Sequence, residues 1–89
     1  MTTHQVAVLN WCRMVEPNGV TRPTQSALAR RLAVSALCCL DPTIDPRSLM
    51  VAKTGSGAPV WDGVVGRDYG LSLSHTNRFA ASVVWRRPV

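Results

Sequence analysis

Between Gly70 and Trp85 the chain reads GLSLSHTNRFAASVVW, and Ser72, Ser74, His75, Thr76 and Asn77 stand there between two apolar runs. Hydroxyls and an imidazole can donate to the oxygens of an anionic ligand, and a protonated histidine strengthens such a bond to phosphate. Alternation assigns Leu71 and Leu73 to one face of a strand and Ser72 and Ser74 to the other. His75 then ends the strand, a Thr-Asn turn follows, and a second run returns from Phe79 to Trp85. This layout sets polar groups at the mouth between two strands, where a rigid scaffold can hold a ligand. A polar hairpin turn with a structural histidine would read the same way.

The other chemically capable residues are dispersed. Asp41 and Asp45 flank a proline turn, Glu16 lies in an early turn, and Asp62 and Asp68 precede the Ser-His stretch. None has the Asp-x-Glu spacing that sets two carboxylates on one strand face. Asp62 and Asp68 are the nearest acids to the Ser-His stretch, and either reads equally as an ordinary loop aspartate. Cys12, Cys38 and Cys39 form neither a CxxC motif nor a Cys/His spacing suited to zinc. They read as reduced thiols acting as small hydrophobes in a cytoplasmic protein.

The elements that would position these residues follow from local pattern. Val6 to Val15 favours a strand, closed by the turn Glu16-Pro17-Asn18-Gly19. Pro23 suits a first helical turn, and Ser26 to Leu40 reads as a helix, with Leu28, Leu32, Ala36 and Cys39 on one face. Asp41-Pro42 stops it, and Asp45-Pro46-Arg47 suggests a short turn before a strand from Leu49 to Ala52. The segment TGSGAP, Thr54 to Pro59, reads as a flexible turn leading to Val60 and Trp61. Strands Leu71 to Ser74 and Phe79 to Trp85 complete an α+β domain over residues 1–89, one main helix on a small, mainly antiparallel sheet.

Composition sets bounds on partners. Eighty-nine residues make one domain at most, with a modest core. Charged residues, at 17%, are fewer than a soluble surface usually carries, which suggests a face covered by a partner. The net charge is +5, and nine of the ten basic residues are arginines, whose forks match phosphate and carboxylate. Nucleotides, nucleic acid and acidic proteins all fit that charge. The arginines are scattered and the aromatics few, so a nucleic-acid-binding domain is the weaker reading. No apolar run approaches membrane-spanning length and no charged leader with an apolar core opens the sequence, so no membrane partner is expected.

A helix rich in Leu, Ala and Arg, a Gly-x-Pro turn and a strand ending in LSLSH together resemble the N-terminal half of the 4′-phosphopantetheinyl transferase superfamily. Those enzymes move the phosphopantetheine arm of coenzyme A onto a serine of an acyl or peptidyl carrier protein. Their larger members consist of two similar halves, each a helix on a small sheet, with the active site between them. The resemblance covers about Arg22 to Val89. LSLSHTNRFAASVV is similar to the family's Asn-hydrophobic-Ser-His stretch, with Ser72 in the asparagine's place, and TGSGAPVW is similar to its Gly-Lys-Pro turn. The resemblance implies that Ser74, His75 and the basic Arg22 lie near the coenzyme A phosphates. Arg78, close to His75, could help hold an anion, or is simply an exposed turn arginine.

The departures shape the expected activity. Ala58 replaces the lysine of the Gly-Lys-Pro turn, and Lys53 on the preceding strand is a possible substitute. The family's Gly-hydrophobic-Asp-hydrophobic-Glu and Trp-x-x-Lys-Glu motifs, whose carboxylates hold magnesium, would fall beyond Trp85-Arg-Arg-Pro-Val. Magnesium needs hard oxygen ligands and the attacking serine needs a base. The expectation is therefore a coenzyme A-facing half, inactive in transfer alone. It would work with a second catalytic half, or as a non-catalytic accessory to polyketide or peptide biosynthesis. An acidic carrier protein suits the basic charge. A homodimer or an obligate partner is expected, with Phe79, Val83 or Trp85 near the contact.

Overall fold

The computed structural model describes residues 6–13, 22–76 and 78–88. Five strands and two helices follow in the order β1 (Ala7–Arg13), α1 (Arg22–Leu40), β2 (Val51–Lys53), β3 (Pro59–Trp61), α2 (Val65–Asp68), β4 (Tyr69–His75) and β5 (Phe79–Arg86), with a 3-10 turn over Pro46–Ser48. Strands β1, β5 and β4 form an antiparallel sheet with β5 in the centre, and β2 and β3 form a separate hairpin. The α+β architecture expected from the pattern is the one observed. The early turn at Glu16–Gly19 and Asn77 lie outside the described residues.

Each strand keeps the alternation its sequence spells. Val8, Asn10 and Cys12 of β1 turn toward α1 with Ala80, Ser82 and Val84 of β5, while Leu9, Trp11, Phe79, Val83 and Trp85 turn to the opposite face. Helix α1 covers the first of these faces. Leu37 and Val84 are fully buried there, joined by Ala33, Ala36, Leu40, Tyr69 and Leu71. Trp61 of the hairpin closes the same cluster from the side.

Helix α1 begins at Arg22, with Pro23 in its first turn, a position where the missing amide hydrogen costs nothing. Its buried stripe differs from the expected one. Gln25, Ala29, Ala33, Ala36, Leu37 and Leu40 are buried, whereas Leu28 and Leu32 are partly buried and Cys39 is exposed. Alanines let the helix backbone approach the sheet closely, and the larger leucines fill the flanks of the contact instead. The approach is close enough that the Asn10 side-chain amide donates to the Leu32 carbonyl at 2.8 Å. Ser82, 1% exposed, donates from its hydroxyl to Asn10 Oδ1. This buried polar link joins two strands to the middle of the helix.

Strand β2 starts two residues later than expected. Asp45 caps the preceding 3-10 turn by accepting from the Arg47 amide at 2.9 Å, so Leu49 and Met50 serve as a connector. The TGSGAP segment is the tight end of the β2–β3 hairpin. Thr54 bonds Ala58 across it, and Gly57 adopts a φ of 88° that side chains resist. No helix among the described residues is long and apolar enough to cross a membrane.

Candidate functional site

His75 ends β4 on the strand face it shares with Leu71 and Leu73, which is the face toward α1. Its Nδ1 lies 2.8 Å from Oε1 of Gln25. An amide oxygen only accepts, so Nδ1 carries the proton and donates, and Nε2 of the exposed ring is then an acceptor unless it is protonated as well. Gln25 is 6% exposed and belongs to the first turns of the helix that Arg22 opens. The backbone therefore brings position 22 and His75 to one end of the domain. Here lies the positive end of the dipole of α1.

Ser74 does not share that face. Adjacent strand residues point to opposite sides, and Ser74 is exposed beside Ser72, Ala81 and Val83 on the side of the sheet away from α1. The two residues that the resemblance pairs are thus joined through the strand end and diverge at their side chains. Thr76 is engaged in the turn: its hydroxyl accepts from the amides of Arg78 and Phe79, both at 3.1 Å, and its own amide donates to the Phe79 carbonyl at 2.8 Å. Part of the polar cluster is thereby turn chemistry. Lys53 and Ala58 are both exposed, on β2 and in the hairpin turn.

A second polar group stands at the opposite end of α1, and no motif pointed to it. Asp41, just after the helix, accepts from the Thr43 hydroxyl at 2.5 Å, the Thr43 amide at 3.1 Å and the Tyr69 hydroxyl at 2.8 Å. Arg86 donates to the Tyr69 hydroxyl at 2.8 Å and to the Leu40 carbonyl at 2.5 Å, with its guanidinium 5.4 Å from the Tyr69 ring centre. The hydrogen bonds from Thr43, then that from Tyr69, hold the Asp41 carboxyl below its ordinary range. Burial, then the bond to Asp41, pushes the Tyr69 phenol up. Arg86 follows Ala80, Ser82 and Val84 at two-residue spacing. An arginine continuing an inward-facing row was the available sign that it meets the helix end.

Asp68 lines a 440 Å³ pocket with Asp41, Tyr69, Arg86 and Arg87. Asp62 is exposed, and its backbone amide pairs with the Met50 carbonyl. Among the described residues, no group of three or more His, Cys, Asp or Glu side chains gathers to hold a metal ion. Among the described acids, Asp41 and Asp68 line one pocket, and Arg86 and Arg87 line it with them.

The face of the sheet away from α1 is open and apolar. Leu9, Trp11 and Phe79 are 68%, 64% and 44% exposed, and the Trp11 and Phe79 rings meet at 6.0 Å between centres. Strands β1, β4 and β5 hold no acidic residue, and Arg13 continues the Leu9–Trp11 row. Comparison with known protein families, curated proteins and solved structures finds no match to this chain.

Proposed function

We propose that this chain is the coenzyme A-facing half of a phosphopantetheinyl transferase-like protein. It binds coenzyme A and an acyl or peptidyl carrier protein, and acts with a second half or a second copy of itself in the cytoplasm. The His75–Gln25 bond carries the reading. It anchors an exposed imidazole beside the first turns of a 19-residue helix. A phosphate there would meet the favourable end of the helix dipole, together with Nε2 when that nitrogen also carries a proton and can donate. The Leu-Ser-Leu-Ser-His strand and the single helix on an antiparallel sheet support the same family reading. The open aromatic face supports the view that the domain normally lies against another body.

No catalytic role is assigned to any residue of this chain. Magnesium would enter only with carboxylates from the second half, and without them the chain is a binding module. Calorimetric titration of coenzyme A into the parent and His75→Ala tests the reading. Weak saturable binding by the parent is expected, reduced about tenfold in the variant if one charge-assisted bond is lost. Equal binding by both proteins, or none by the parent, refutes it.

A further inference from the structure

A cleft of 610 Å³ runs between α1 and residues 46–51, and none of its lining residues belongs to β1, β4 or β5. Val34, Leu49 and Val51 form apolar walls, and Arg30 and Arg31 stand toward one end. Arg30 is steadied by the Ser26 hydroxyl at 3.0 Å. Arg31 is exposed, and among the described residues the one ion pair is between Arg47 and Asp45. No acidic residue lines the cleft. At the far end lies Cys38, seven helical residues or ~10 Å from Arg31. Its thiol is pushed up by burial and then by nearby Cys39, Asp45 and Asp41.

An apolar trough with two guanidinium groups at one end and a neutral thiol at the other has a definite complement. It fits a small molecule with an anionic head and an aliphatic tail. A fully apolar ligand would leave the arginines unused, and a compact anion would leave the walls wet. We propose that this cleft binds a medium-chain fatty carboxylate, with its head group on Arg30 and Arg31 and its tail running along Val34 and Leu49 toward Cys38.

The probe is decanoate, titrated calorimetrically into the full chain, with decanol as the neutral control and Arg30→Gln/Arg31→Gln as the variant. Both arginines lie at the surface of α1, and circular dichroism would establish that the variant is folded. One saturable site is expected, weakened about tenfold or more by the double substitution and by replacing carboxylate with alcohol. Bound decanoate should slow alkylation of Cys38 by iodoacetamide and leave exposed Cys39 unaffected. Absence of binding, affinity unchanged in the double variant, equal binding of decanol, or unprotected Cys38 would each overturn the assignment. Coenzyme A binding at His75 can succeed or fail independently of all these readouts.

Discussion

Gly70 and Trp85 face one another across the β4–β5 ladder, and the Trp85 indole occupies the space above the glycine. A methyl group at position 70 would stand 2.5 Å from Cζ2 and 2.6 Å from Nε1 of that ring. The glycine is thus a seat for the indole on the sheet face away from α1. Gly70→Ala should displace the ring and cost about 1–3 kcal/mol, the usual range for overpacking. Denaturant unfolding followed by tryptophan fluorescence would show both the lower midpoint and an altered native signal. Unchanged stability would mean that the ring moves aside freely.

The Asn10–Ser82 pair should show the asymmetry of buried hydrogen bonds. Asn10→Ala leaves the Ser82 hydroxyl without its acceptor beneath the helix and should cost about 1–3 kcal/mol. Replacing both together, as Asn10→Val with Ser82→Ala, removes donor and acceptor and should cost less than the sum of the single losses. A double-mutant cycle in urea measures the coupling; strict additivity would deny it.

Much of the fold was legible because strand alternation and turn residues act locally. Leu71 and Leu73 turn inward and Ser72 outward as their spacing dictates, and Asp41-Pro42 ends α1. The rotation of α1 was not legible. Hydropathy marks Leu28 and Leu32 as the face to bury, whereas close approach to the sheet selects Ala29 and Ala33. That choice depends on Asn10 and Ser82, distant in sequence. At the candidate site, a strand ending in His75 could be read in advance, whereas its nearness to the start of the helix was only implied by the family resemblance. Its bond to Gln25 spans fifty residues and depends on how helix and sheet pack. The Asp41–Tyr69–Arg86 group was hidden for the same reason.

That group gives stability a pH dependence with opposite signs at its two ends. Asp41 has its folded pKa lowered, so its contribution is present above the ordinary carboxyl value, 3.8, and is lost as pH falls through the folded value. Tyr69 has its folded pKa raised, so its contribution is present below 10.0 and is lost as pH rises through the folded value. Asp41→Asn should flatten the acid limb of stability against pH, and Tyr69→Phe the alkaline limb. Urea midpoints at about pH 3, 6 and 10 would reveal this. Parallel curves for parent and variants would remove these two groups from the account.

The open face makes the assembly prediction specific. Leu9, Trp11 and Phe79 present a contiguous apolar surface on a sheet whose other side is already covered, and sheets commonly bury such a face against a second sheet. Sedimentation at micromolar concentration should therefore show a species heavier than the 9.7 kDa chain, and Trp11→Ser/Phe79→Ser should return it to monomer. Salt then separates the two possible occupants. Two copies bring basic surfaces together, each with Arg13 on the contact side, so screening their repulsion should strengthen self-association. An acidic second half would be held partly by attraction, and added salt would weaken it. A folded parent that stays monomeric at all salt concentrations would rule out self-association. If it also ignored an acidic carrier protein or second half, the open face would have no role in assembly.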